Sequence, residues 1–149
     1  MSKILIASDH AGFEMKNEIV ACLRGAGYEM EDLGAYTLES GDDYNDYIEP
    51  LARSISKDPE NLKGIVLGGS GQGEAMSANR FKGVRAAVYY GGDMDVLALS
   101  RKHNNANVLS LGARFVDIQE MCNAARLWLE TPFSGDERHA RRIKKLDEF

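Results

Sequence analysis

The stretch Gly64-Ile65-Val66-Leu67-Gly68-Gly69-Ser70-Gly71-Gln72-Gly73-Glu74 decides how the chain is read. An apolar run stops abruptly, and four glycines between positions 68 and 73 interleave with one hydroxyl. A carboxylate follows where a helix would begin. A short apolar run bounded this way reads as a strand buried on both faces. Glycine lets the backbone approach a ligand closely, and amides at the mouth of a helix favour negative charge. Glu74 inside that cradle is out of place for a simple anion binder. It suits an enzyme that needs a base beside a developing oxyanion.

Strand and helix patterns alternate on both sides of this stretch. Ile4 to Ser8 predicts a buried strand, and residues 12–25 place Met15, Ile19, Cys22 and Leu23 at helical spacing before Gly25-Ala26-Gly27 stops the helix. Tyr28 to Leu33 predicts a second strand. After the polar stretch Glu39 to Asp43, a helix carries Tyr47, Ile48, Leu51, Ala52 and Ile55 on one face. Ile65 to Leu67 is the third strand, and the helix after the loop starts near Glu74. Val84 to Tyr89 is a fourth strand, Gly91-Gly92 a turn, Met94 to Lys102 a helix and Val108 to Leu111 a fifth strand. Residues 116–130 put Ile118, Cys122, Ala125 and Leu129 on one stripe, and Pro132 precedes a short charged helix over about 136–149. Five alternations without repeats or linkers predict a doubly wound, Rossmann-like α/β fold. It has a five-stranded parallel sheet with helices on both faces, a three-layer α/β/α domain over residues 1–149. Ligands of such sheets sit beyond the carboxyl ends of the strands. The topology therefore predicts that Asp9-His10, the glycine loop and Gly112-Ala113-Arg114 converge.

At 149 residues the chain is long enough to bury one core. Its composition, 44% hydrophobic and 28% charged, is that of an ordinary globular protein. A net charge of −5 argues against nucleic acid as the main partner, although Arg138, Arg141, Arg142, Lys144 and Lys145 reverse the balance locally. Cys22 and Cys122 form no CxxC pair and fall in helical apolar patterns, so they are expected to be buried thiols of a reducing compartment. No apolar run approaches the roughly 18 residues of a membrane span. Met1 to Ala7 enters a strand with no cleavable signal. A cytoplasmic protein without membrane contact is the expectation.

Each motif also has a plain structural use. The glycine loop is not the dinucleotide fingerprint, because Glu74 stands where GxGxxG counted from Gly69 needs glycine and the loop follows the third strand. It is not a P-loop, since no Lys-Ser/Thr follows Gly73. Surplus glycine in a tight turn is the plain alternative. Asp9 would serve as a helix cap with His10 on the surface, and His103 as a favourable charge at a helix C-terminus. Arg138 and Arg142, four apart, share a helical face. They either grip a phosphate or form a solvated charged face. Met94, Met121 and Trp128 read as core. The three histidines are far apart in sequence and no HxxxH or Cys/His spacing exists, so neither a metal nor another cofactor is expected.

Taken together, the motifs closely resemble the ribose-5-phosphate isomerase B family, which includes the galactose-6-phosphate isomerase subunits. The likeness rests on Ser8-Asp9-His10-Ala11-Gly12-Phe13, Asp43-Tyr44, Gly68 to Glu74 with Ala78-Asn79-Arg80, His103-Asn104-Asn105-Ala106-Asn107, Gly112-Ala113-Arg114 and Arg138-His139 with Arg141-Arg142. It covers nearly the whole chain. One branch of the family uses a cysteine base at the position of Gly68, a role glycine cannot take. This chain looks like the branch with a glutamate base at the position of Glu74. It departs from the usual pattern at Asn45, where many members have proline.

The resemblance implies interconversion of ribose 5-phosphate and ribulose 5-phosphate through an enediolate. Glu74 would be the base, Ser70 the relay between O1 and O2, and the amides of Gly69, Gly71 and Gly73 the oxyanion stabilisers. Asp9 and His103 would open the sugar ring and Asn104 would assist binding, with Tyr44 beside the substrate. His10, Arg114, Arg138 and Arg142 would hold the phosphate. The family shares its site between subunits, which implies a homodimer or homotetramer. Two alternatives stay open: an isomerase of a tetrose, allose or galactose phosphate, and a non-catalytic sugar-phosphate or nucleotide sensor.

Overall fold

The computed structural model describes residues 3–149; Met1 and Ser2, which enter the expectation of an uncleaved N-terminus, lie outside the described residues. Five strands, β1 (Ile4–Ser8), β2 (Met30–Asp32), β3 (Lys63–Gly68), β4 (Ala86–Tyr89) and β5 (Val108–Gly112), form one sheet in the order β2-β1-β3-β5-β4. Every pairing is parallel. Six helices join and cover them: α1 (Phe13–Gly25), α2 (Asn45–Lys57), α3 (Gln72–Ala78), α4 (Asp95–Lys102), α5 (Ile118–Glu130) and α6 (Glu137–Lys145).

Side chains along a strand alternate between its two faces, and here both faces are buried. Ile4, Ile6, Ile65, Leu67, Leu109 and Leu111 meet Ile19 and Leu23 of α1, Leu97 of α4, and Met121, Ala125 and Trp128 of α5. Their neighbours Leu5, Ala7, Val66 and Val108 meet Ile48, Leu51, Ala52 and Ile55 of α2 and Ala78 of α3. Each large apolar side chain removed from water contributes about 1.5–3 kcal/mol. The two clusters make the three layers expected from the alternation. As expected, Met121 and Trp128 are in the core, with Met94 half-buried against it.

Strand order carries the functional consequence. The chain leaves β1 outward to β2 and returns across it to β3, so the order reverses between β1 and β3. In such sheets the crevice lies at the carboxyl ends flanking that reversal. From β3 the chain skips a position to reach β4 at the edge, then folds back inward as β5. β4 starts at Ala86 rather than Val84 because the Arg85 amide donates sideways to Asn107 Oδ1 at 2.8 Å. β2 is shorter than the apolar pattern and pairs with β1 through Met30 to Asp32 alone.

Beyond β2, a buried lysine fixes the path. Lys16 Nζ donates to both Asp32 carboxylate oxygens at 2.8 Å and to Ala35 O at 2.6 Å. The segment it holds continues the edge of β1, with Ser8 N–H donating to Gly34 O and Ala35 N–H donating to Ser8 O.

The expectation of two free thiols is corrected. Cys22 of α1 and Cys122 of α5 are joined in a disulfide, their Cα atoms 6.4 Å apart. Both helices pack on the same face of the sheet, which brings together residues separated by 100 positions. No local spacing signals such a pair, and the argument from free cysteines to a reducing compartment falls with it. No helix among the described residues is long and apolar enough to cross a membrane.

Candidate active site

Asp9 ends β1 with its side chain turned back on the chain. Its Oδ1 accepts from the amides of Ala11 at 3.0 Å and Gly12 at 3.4 Å, capping a single 3-10 turn over His10–Gly12. The capping use therefore holds, and the carboxylate is nonetheless at the mouth of the crevice. The glycine loop after β3 is clamped from the neighbouring strand. Ser110 Oγ donates to Gly71 O at 2.6 Å, while the amides of Ala113 and Arg114 donate to Gly68 O at 2.8 Å and Gly69 O at 3.0 Å. The Arg114 guanidinium lies over Gly69, where an added Cβ would be 3.1 Å from Cζ. The three predicted segments do converge.

Glu74 points from the first turn of α3 into this crevice and is only 5% exposed. Its carboxylate fills the space that a Cβ on Gly68 would occupy. Burial pushes the Glu74 carboxyl above its ordinary range, a hydrogen bond to its own backbone opposes this, and the Asp9 charge adds to it. A carboxylate at a helix start is normally acidified; here desolvation outweighs that effect. The Tyr44 ring covers Gly73 so closely that a Cβ there would sit 2.7 Å from Cε1. Tyr44 is the N-cap of α2 in right-handed helical conformation, which is disfavoured before proline, so Asn45 accommodates it. Among the described residues, the amides of Ser70, Gly71 and Gly73 have no acceptor, and Ser70 Oγ accepts from Gln72 N–H at 3.3 Å.

His10 is half-buried, and its Nδ1 lies 2.6 Å from Asp42 Oδ1. With Asp9, these residues present ligand atoms within 4.8 Å of one another, the one such group among the described residues that could hold a metal ion. That grouping is already internally hydrogen-bonded through Asp42.

The remaining predicted residues lie elsewhere. α4 runs back against the strand direction, so His103 and Asn104 sit at the amino end of β5. α6 lies at the same end: Ser134 N–H donates to Lys102 O at 3.1 Å, and Asp147 accepts from Gly83 N–H at 3.0 Å. This helix carries Arg138 and Arg142. The His103 ring stacks on His139 with centroids 4.3 Å apart. His139 Nε2 is buried without a partner, and burial, reinforced by His103, holds its pKa down. Arg101 fixes the turn below, donating to Thr131 O at 3.0 Å, Asn105 Oδ1 at 3.0 Å and Ala106 O at 2.5 Å. At about 3.3 Å per residue, the length of β5 puts this group on the order of 13 Å from the glycine loop.

One chain thus presents the expected site residues in two separate groups, called half-sites below. Asp9, His10, Tyr44, Ser70, Glu74 and Arg114 lie at the carboxyl end, with His103, Asn104, Arg138 and Arg142 at the amino end. Asp42, Ser110 and Arg101 adjoin these groups and were not singled out by the motifs, whereas His139 lies within the quoted Arg138-His139 motif. Asp42 adjoins the Asp43-Tyr44 pair, the one signal that pointed toward it.

A family model described as Ribose/Galactose Isomerase matches residues 4–146. The chain belongs to this family. The ribose-5-phosphate isomerase B of Mycolicibacterium paratuberculosis is 38% identical over 147 residues, covering 99% of this chain and 91% of that protein. Among solved structures, ribose-5-phosphate isomerase B of Mycoplasma genitalium, determined with bound ribulose-5-phosphate, matches with a TM-score of 0.92 at 38% identity. The match covers 98% of this chain and 94% of that one. A ribose 5-phosphate isomerase of Thermotoga maritima matches with a TM-score of 0.90 at 44% identity, covering 99% of each chain. Membership of the Ribose/Galactose Isomerase family thus extends over nearly the whole chain, as the ordered motifs led one to expect.

Proposed function

We propose that this chain is an aldose-ketose isomerase that interconverts ribose 5-phosphate and ribulose 5-phosphate, with Glu74 as the base. The observation that carries the reading is a buried carboxylate of raised proton affinity beside amides without acceptors. A base works best when its pKa approaches the operating pH, and burial moves Glu74 in that direction. Glu74 takes the proton from C2 of the open-chain aldose, and the electron pair forms the C1–C2 double bond of an enediolate. Negative charge develops on O1, where the amides of Gly69, Gly71 and Gly73 stabilise it. Ser70 passes the O2 proton to O1, and Glu74 returns its proton to C1 as C2 becomes the carbonyl. Oxidation of C2 balances reduction of C1, so proton movement alone completes the reaction.

Asp9 and His103 open the ring, Asn104 and Tyr44 contact the sugar, and His10, Arg114, Arg138 and Arg142 hold the phosphate. These roles require both half-sites together. Their separation within one chain supports a homodimer, alone or paired as a tetramer, in which each crevice receives His103, Asn104 and the arginines from a second copy. A groove of about 540 Å³ beside Asn104, lined by Phe81, Ala86, Ala87 and Leu146 along the exposed edge strand, offers an apolar surface for that copy. A phosphorylated sugar substrate fits a cytoplasmic protein. The test is turnover across tetrose, pentose and hexose phosphates. Conversion of ribose 5-phosphate at the highest kcat/KM is expected. Preference for another sugar would reassign the substrate, and binding without turnover would make the protein a sensor.

A further inference from the structure

Asp42 stands in the loop between β2 and α2, 32 residues from His10, and has no part in the scheme above. Its Oδ1 accepts from the His10 backbone N–H at 3.1 Å and lies 2.6 Å from His10 Nδ1. The Asp42 side chain is only 7% exposed, and its Oδ2 is buried with no hydrogen-bond partner. A carboxylate withdrawn from water this far is costly unless a cation faces it. His10 is that cation when protonated. With Nδ1 occupied, Nε2 is the one ring nitrogen left for a ligand, and the ring is 32% exposed.

The other charges around His10 act in the same sense or only partly against it. Asp9 precedes it in the chain and Arg114 reaches it from the loop after β5, so two carboxylates oppose one guanidinium. Tyr47 of α2 faces Asp42 and is itself held neutral, by burial first and then by the Asp42 charge. The hydrogen bond to Asp42 raises the His10 pKa above the ordinary value of 6.5; burial and Arg114 act against it, and the Asp9 and Asp42 charges act with it.

We infer that Asp42 is a positioning residue for His10, holding the ring as an imidazolium with Nδ1–H on Asp42 and Nε2–H free for a substrate phosphate oxygen. The ligand in this statement rests on the sugar-phosphate reading; the Asp42–His10 pair does not. A carboxylate that merely closed the loop would need only the bond from the His10 backbone amide, which asparagine can also accept.

Asp42→Asn separates the two roles. The pH titration of the His10 ring, followed by NMR in the free protein and assigned with His10→Gln, reads the pair without any substrate. The wild-type midpoint is expected above the ordinary imidazole value of about 6.5 and should fall in Asp42→Asn, where the carboxylate hydrogen bond is lost. In the isomerase assay, Asp42→Asn should match wild type in KM near pH 5.5 and exceed it about tenfold near pH 8, the loss falling on KM rather than kcat. A wild-type midpoint at or below the ordinary value overturns the inference, as does an unmoved midpoint in a folded Asp42→Asn. An increase in KM of equal size at every pH would make Asp42 a loop-closing residue only. If the titration behaves as expected but no sugar phosphate is turned over, the pair stands and the isomerase reading fails.

Discussion

Gly68 and Glu74 share one space: a Cβ on residue 68 would overlap the Glu74 carboxylate. A side chain at the end of β3 and a carboxylate on the first turn of α3 are therefore alternatives. Glycine at 68 does more than fail to supply a base. It makes the room in which Glu74 can be buried and its pKa held above the ordinary carboxyl range.

Gly68→Ala should accordingly damage catalysis without touching a reacting group. The methyl displaces the Glu74 carboxylate, and a misplaced base forfeits about 100-fold or more in kcat. KM, which the proposed phosphate contacts would set, should change by less than about threefold. Steady-state kinetics on the folded variant, checked by circular dichroism, reads both.

Glu74 also leaves a signature in stability. Its folded pKa is raised above the ordinary 4.5, so the folded chain holds this proton more tightly than the unfolded one. The contribution is fully present below about pH 4.5 and is lost as pH rises from there through the folded pKa. Glu74→Gln lacks this loss. The melting temperature of Glu74→Gln minus that of wild type should grow across that window and then level off.

Much of this was legible beforehand, for identifiable reasons. Apolar runs such as Ile65 to Leu67 mark buried parallel strands, and the stripe Ile48, Leu51, Ala52, Ile55 marks a helix that covers them. The convergence of Asp9, the glycine loop and Arg114 followed from the parallel topology. The reversed order of β4 and β5 did not, because local pattern carries no information about which strand becomes the edge. The Cys22–Cys122 pair and the Asp42–His10 contact escaped for the same reason: both join positions distant in sequence through the packing of separate elements. The placement of His103 away from Glu74 depends on helix direction, which motif order alone does not reveal.

The proposed sharing of each site between two copies makes a complementation prediction. Glu74→Gln spoils the carboxyl-end half-site and Arg138→Ala/Arg142→Ala the amino-end one. Each alone should be nearly inactive at low substrate. After unfolding and refolding together, random pairing makes half the dimers mixed, and each mixed dimer rebuilds one of its two sites. About a quarter of wild-type activity should return. No recovery, in a mixture shown by sedimentation to contain dimers, would place both half-sites in separate functions.

The buried Lys16–Asp32 pair predicts an asymmetry in stability. Asp32→Ala strands the Lys16 ammonium, which is fully buried, and should cost about 3 kcal/mol in urea unfolding. Adding Lys16→Met removes the stranded charge and should restore part of that loss.

The most direct test of the central claim is isomerisation of ribose 5-phosphate in D2O, followed by NMR at the C1 and C2 positions of substrate and product. Wild type should form ribulose 5-phosphate with solvent deuterium entering at carbon, because in the proposed scheme the proton passes through Glu74 and can exchange there. Glu74→Gln should be slower by about 100-fold to 10,000-fold, with no deuterium entering recovered substrate. Near-normal turnover or exchange by folded Glu74→Gln would contradict the assignment of Glu74 as the base.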